Sequence, residues 1–121
     1  MTIRTILTCA ALLLPLAAEA HDGKGVNGGR ISDAGSYHLE LVLRDVNVEV
    51  FLSDENERPV VAIGFKGLAI LVVDGKSQRI ALQPAGQSLL SGKASAPLPP
   101  NAKGAVQLTA PDGTTAQARF N

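Results

Sequence analysis

His21 and His38 are the only two imidazoles in this 121-residue chain. The first of them follows Ala18-Glu19-Ala20, an A-x-A pattern that signal peptidases cut behind. Cleavage after Ala20 makes His21 the first residue of the mature chain. A free α-amine beside an imidazole offers two nitrogens that close a chelate ring on one metal ion. An α-amine has a pKa near ~7.7, so protons compete with metal only modestly at neutral pH. His38 would add a third nitrogen, which suits the tetragonal N/O preference of Cu(II). Asp22, Glu40 or Glu49 would supply an oxygen. The expected ligand is therefore Cu(II) or another divalent transition metal, with no organic cofactor. The plainer alternative is a histidine tolerated after a leader and a second one on the surface. Closing the glycine-rich chain between the two also costs entropy.

Other chemistries find less support. No Ser/His/Asp set is suggested, and Glu40 and Glu49 could do paired acid–base work only inside a pocket whose apolar walls the sequence does not announce. The expectation is a protein that is not an enzyme. Lys and Arg number 11, as do Asp and Glu, and aromatic residues make up 3% of the chain. Nucleic-acid binding thus has no electrostatic footprint. Gly23 to Gly29 lacks the GxxxxGK[ST] spacing of a phosphate loop.

The first twenty residues read as a leader. Arg4 supplies the positive region and Ile6 to Leu16 the apolar one, well short of the ~20 residues that span a bilayer. Cys9 precedes most of that apolar run, so it does not read as a lipoprotein anchor. Met1 and Cys9 leave with the leader, and the remaining chain has no sulfur. Disulfides, thiolate zinc sites and soft Cu(I) sites are thereby excluded. The division expected is a signal peptide over 1–20, a flexible glycine-rich arm over 21–35, and one β domain over 36–121.

Within that domain Tyr37 to Leu52 is the organising stretch. Tyr37, Leu39, Leu41 and Leu43 alternate with His38, Glu40, Val42 and Arg44; after Asp45 the apolar set becomes Val46, Val48, Val50 and Leu52. Such a parity flip is what a tight antiparallel hairpin requires. A turn at Arg44-Asp45 would set Glu40 against Glu49, and one at Asp45-Val46 would set it against Phe51. Either way His38, Glu40 and Glu49 share the solvent-side face. Opposed glutamates would make Glu40→Ala nearly neutral or helpful.

Further strands are expected at Arg30-Ile31 (a short edge), Val60 to Phe65, Leu68 to Val73, Ser77 to Leu82 and Gln87 to Ser91. Two more follow around Val106 to Ala110 and Ala116 to Phe120. Asp74-Gly75-Lys76 reads as a three-residue hairpin loop that turns Leu68, Ile70 and Val72 inward. Pro84-Ala85-Gly86 reads as a turn, and proline-rich Ala94 to Asn101 as a crossover between sheets. About seven short antiparallel strands and no helical periodicity predict a small immunoglobulin-like β-sandwich.

The segments Asn27-Gly28-Gly29-Arg30, Ala34 to Val42 (AGSYHLELV), Ile70 to Lys76 (ILVVDGK) and Gln78 to Leu82 (QRIAL) resemble a group of small exported bacterial proteins. Those proteins accompany heavy-metal efflux systems of the resistance-nodulation-division type. A similar HGG…HxEL segment occurs in periplasmic adaptor subunits of such systems. The resemblance covers most of the mature chain. It implies a periplasmic, metal-binding accessory protein linked to efflux or resistance. It also implies an adaptor subunit as a partner. The family pattern favours His where this chain has Asn27, which leaves His21 and His38 to carry a site. A histidine at the mature N-terminus is also similar to the copper-binding β-sandwich proteins of copper resistance, by analogy of architecture. The alternative is a metal-free interaction module that docks on an adaptor or another periplasmic partner by a sheet edge or the face around Phe51.

Overall fold

The computed structural model describes residues 24–121. The expected leader, His21 and Asp22 lie outside them. Among the described residues there are eight strands and no helix: β1 Arg30–Ala34, β2 Tyr37–Arg44, β3 Asn47–Ser53, β4 Lys66–Val73, β5 Lys76–Gly86, β6 Leu89–Lys93, β7 Lys103–Thr109 and β8 Thr115–Phe120. All pairings are antiparallel, in the order β1-β2-β3-β6-β5-β4-β7-β8. β1 and β8 lie close to each other without a ladder between them, so the sheet is sandwich-like and nearly closed. The all-β expectation holds, with one strand more than the seven anticipated.

β2 and β3 turn at Asp45-Val46, which pairs Arg44 with Asn47 and Glu40 with Phe51. Asp45 takes φ 55°, a left-handed conformation that Asp tolerates better than most residues. The inward set is as alternation predicts: Leu39, Leu41, Leu43, Val48, Val50 and Leu52 are all buried.

Around β4 two expectations fail. Val60 to Phe65 is not a strand; it is a loop tied by the bonds Val60 N–H to Leu52 O, Ala62 N–H to Gln87 O and Phe65 N–H to Ala62 O. The β4–β5 loop has two residues, not three. Asp74 and Gly75 have φ 52° and 75°, the paired positive values of a type I′ turn, and Val73 pairs with Lys76. That one-residue difference inverts the face of β4. Ala69 and Leu71 point to the core instead of Leu68, Ile70 and Val72, while Ile80 and Leu82 on β5 stay inward.

β5 is the hinge between the halves. Its first part pairs with β4, and Gln83–Gly86 pairs with β6 across an irregularity at Pro84. The expected turn at Pro84-Ala85-Gly86 is thus strand, and the chain turns at Gln87-Ser88. Pro84 has no N–H to offer a ladder, which is why a bulge can house it. The crossover expected at Ala94 to Asn101 does join β6 to β7. It is held under the β2–β3 turn by Ala94 N–H to Val46 O and Leu98 N–H to Asp45 O, with Leu98 buried.

Candidate metal-binding groove

On the outer face of β2 a groove of about 540 Å³ opens between the N-terminal segment and β3. His38 and Glu40 rise from its floor, Ile31, Phe51 and Pro59 give it apolar walls, and Lys24 and Val26 stand at its rim. Apolar walls were the missing ingredient in the sequence. They come from β1, β3 and the loop after β3, segments far apart in the chain.

The rim exists because residues 24–30 fold back on themselves. Lys24 bridges Arg30, Gly25 N–H bonds Gly29 O, and Gly28 N–H bonds Gly25 O, with Gly28 at φ 79°. This is a three-residue hairpin loop ending in a left-handed glycine. From Lys24 onward, the arm expected over 21–35 is therefore hairpin followed by β1, and the edge strand at Arg30-Ile31 runs on to Ala34.

Glu40 holds that hairpin down. Its Oε2 accepts Gly29 N–H at 2.8 Å and Asn27 N–H at 2.9 Å, and its Oε1 accepts Asn27 Nδ2 at 3.0 Å. The side chain is 7% exposed, so Glu40 is not on the solvent-side face expected of it. A buried carboxylate usually requires a cation or several donors. Among the described residues no Lys or Arg pairs with Glu40, and amide donors carry its charge instead. The glycines are needed for this approach. A Cβ on Gly25 would overlap the Glu40 carboxyl, and one on Gly29 would collide with Leu41 O. Asn27 serves here as a double donor.

His38 is oriented from the neighbouring strand. Asp33 lies directly across from it in the β1–β2 ladder, and His38 Nδ1 sits 2.8 Å from Asp33 Oδ1. The sequence carried a signal for this pair that alternation alone misses. Gly35-Ser36 is a two-residue hairpin loop with Gly35 at φ 59°, and Gly-Ser is a known composition for such loops. Counting back from it sets Asp33 opposite His38.

Glu49 is elsewhere. It faces Val42, lies 3.9 Å from Arg44 Nη1, and lines a separate hollow with Asn47, Ser91 and Lys93. The structure thus brings His38 and Glu40 into one groove and leaves Glu49 out of it. Among the described residues no group of three or more His, Cys, Asp or Glu side chains is arranged to hold a metal ion. Comparison with protein-family models, curated proteins and solved structures finds no match to this chain.

Proposed function

We propose that this chain is a periplasmic metal-binding accessory protein, taking Cu(II) or another divalent metal in the service of efflux or resistance. Processing after Ala20 exposes the α-amine and imidazole of His21, and His38 completes a three-nitrogen set. The observation that carries this reading is the Asp33–His38 pair at 2.8 Å in a groove whose rim is Lys24. Histidines that bind metals usually hand their second ring nitrogen to a carboxylate, which fixes the ring's tautomer and orientation. His21 is only three residues ahead of Lys24, and three residues span at most ~10 Å. The built hairpin thereby removes much of the entropic objection to joining His21 and His38. Glu40 is committed to amides and Glu49 lies outside the groove, so oxygen ligation falls to Asp22 or water.

Calorimetric titration with Cu(II) tests this. A chain beginning at His21 binds more tightly than one with an extra alanine before it, because the extra residue turns the amine into an amide and removes the chelate. His38→Ala weakens binding further. Equal affinities of the two N-terminal forms would eliminate the chelate.

A second reading is a metal-free module that docks on an efflux adaptor or another periplasmic partner. Val26 at the groove rim is fully exposed and Ile63 is 78% exposed, which favours such docking. Failure of both N-terminal forms to bind Cu(II) would make it the better account.

A further inference from the structure

We propose that the groove on the outer face of β2 is a binding site for a small hydrophobic cation, an organic ammonium with an aromatic or branched aliphatic body. This does not depend on the metal reading, and every residue it uses lies between Lys24 and Pro59. About 540 Å³ is far more than a bare ion fills, and it lies within the ~300–1,000 Å³ usual for small-molecule clefts. Ile31, Phe51 and Pro59 line the groove, and Val26 stands fully exposed at its rim. An apolar body seated there takes these side chains out of water.

The charge of the lining decides what else the ligand carries. Among the described residues, two carboxylates, Glu40 and Glu57, line the groove against one ammonium, Lys24. A third carboxylate, Asp33, stands beside His38 at 2.8 Å from its Nδ1. Glu40 matters most. The clamp it forms on Asn27 and Gly29 fills its lone pairs with N–H groups, but amides are neutral and leave its negative charge standing. No Lys or Arg pairs with it among the described residues. At 7% exposure and between apolar walls, that charge is felt further than one in water would be. Its oxygens are already engaged, so a metal ion gains no ligand from it. An organic ammonium needs only a negative potential and an aromatic face, not a coordination sphere. Phe51 supplies the face, directly opposite Glu40 in the β2–β3 ladder and lining the same groove. Glu57, on the loop after β3, is the exposed carboxylate of the lining.

NMR titration of the processed chain in metal-free buffer compares three probes of similar shape: phenylpropylamine, phenylpropanol and phenylpropanoate. The amine should bind about tenfold tighter than the alcohol at low salt, with the carboxylate weakest and the gap narrowing as salt is added. Amide shifts should concentrate at Ile31, His38, Phe51 and Ser53, which line the groove. Phe51→Leu keeps an apolar floor and removes the π face, so it should weaken the amine about fivefold and the alcohol less. Glu57→Gln, at an exposed position where folding is not at stake, should weaken the amine about threefold and spare the alcohol. Glu49→Gln is the control, a carboxylate on β3 that lines a different hollow, and it should do neither. An amine no tighter than the alcohol, or equal effects of Glu57→Gln and Glu49→Gln, would overturn the choice of a cation. Tightest binding by the carboxylate would assign the groove to an anion at Lys24 instead. Shifts outside the groove, or no binding of any probe, would overturn the site itself.

Discussion

Replacing Glu40 by alanine removes the acceptor for three N–H groups at once, and the burial of each sets what it loses. Gly29 N–H is buried, and a buried donor left without a partner costs ~1–3 kcal/mol. The two Asn27 donors are part-buried and regain water, so each forfeits only the ordinary net value of ~0.5–1.5 kcal/mol. Against these stands the relief of no longer holding a carboxylate away from solvent. The hairpin can also lift away to rehydrate its amides, which caps the loss. A net destabilisation of ~2–3 kcal/mol follows. The control is Glu49→Ala: Arg44 is 3.9 Å away and 66% exposed, so this change should stay within ~0.5 kcal/mol. Urea unfolding of the chain from His21, read by linear extrapolation, resolves the difference as a midpoint shift of ~1–2 M at a slope of ~1.5 kcal/mol/M. Two variants of equal stability would refute the clamp's role in folding and restore the expectation that Glu40 is an exposed, dispensable charge.

The β4 register makes a second prediction: Leu71→Ala should cost ~2–5 kcal/mol and Val72→Ala at most ~0.5, since they are 0% and 45% exposed. The reverse order in thermal or urea unfolding would mean a three-residue loop at Asp74. Asp33→Asn should weaken Cu(II) binding by ~10–100-fold, the usual range for losing a ligand's carboxylate partner, with an unchanged unfolding midpoint because Asp33 is exposed. Unaltered affinity would show that Asp33 does not tune His38. The Thr114 hydroxyl, followed by the Thr114 backbone N–H, holds the Asp112 carboxyl below its ordinary pKa. A depressed folded-state pKa means the turn's contribution is present above the unfolded value and lost as pH falls through the folded one. Thr114→Val should shift the Asp112 titration, followed by carboxyl NMR, back upward, and an unmoved titration would contradict the assignment.

The strands could be read from the chain wherever one face is dry and the other wet. β2 and β3 are the clearest case, since the parity flip at Asp45 forces the hairpin whichever turn is chosen. What separates the two turns is a single left-handed residue, and hydrophobicity does not register it. The same gap explains β4: Leu68, Ile70 and Val72 are as apolar as Ala69 and Leu71, so only the length of the Asp74-Gly75 loop decides which set goes inside. Val60 to Phe65 looks like a strand because it is rich in β-branched residues, yet its amides are spent on Leu52, Ala62 and Gln87. Glu40 is the most instructive failure. Alternation correctly assigns it to the outer face of β2, but the outer face is not always wet. A hairpin of glycines and one asparagine covers it, and glycine contributes nothing to a hydrophobic pattern.

The crossover from β6 to β7 has a consequence for how the chain reaches this state. Hairpins β1–β2, β2–β3, β4–β5, β5–β6 and β7–β8 close over turns of a few residues, whereas the β3–β6 and β4–β7 ladders do not. Val50 pairs with Leu90 and Ala69 with Val106, residues some forty positions apart. Loop-closure entropy must be met before such contacts return anything. Folding is therefore expected in the millisecond-to-second range of non-local β topologies rather than the microseconds of local ones. The slow step expected is the swing of the Ala94–Ala102 segment beneath the Asp45 turn, which carries β7 across to β4. Leu98, the largest buried side chain in that segment, is the one whose truncation should slow refolding more than it hastens unfolding.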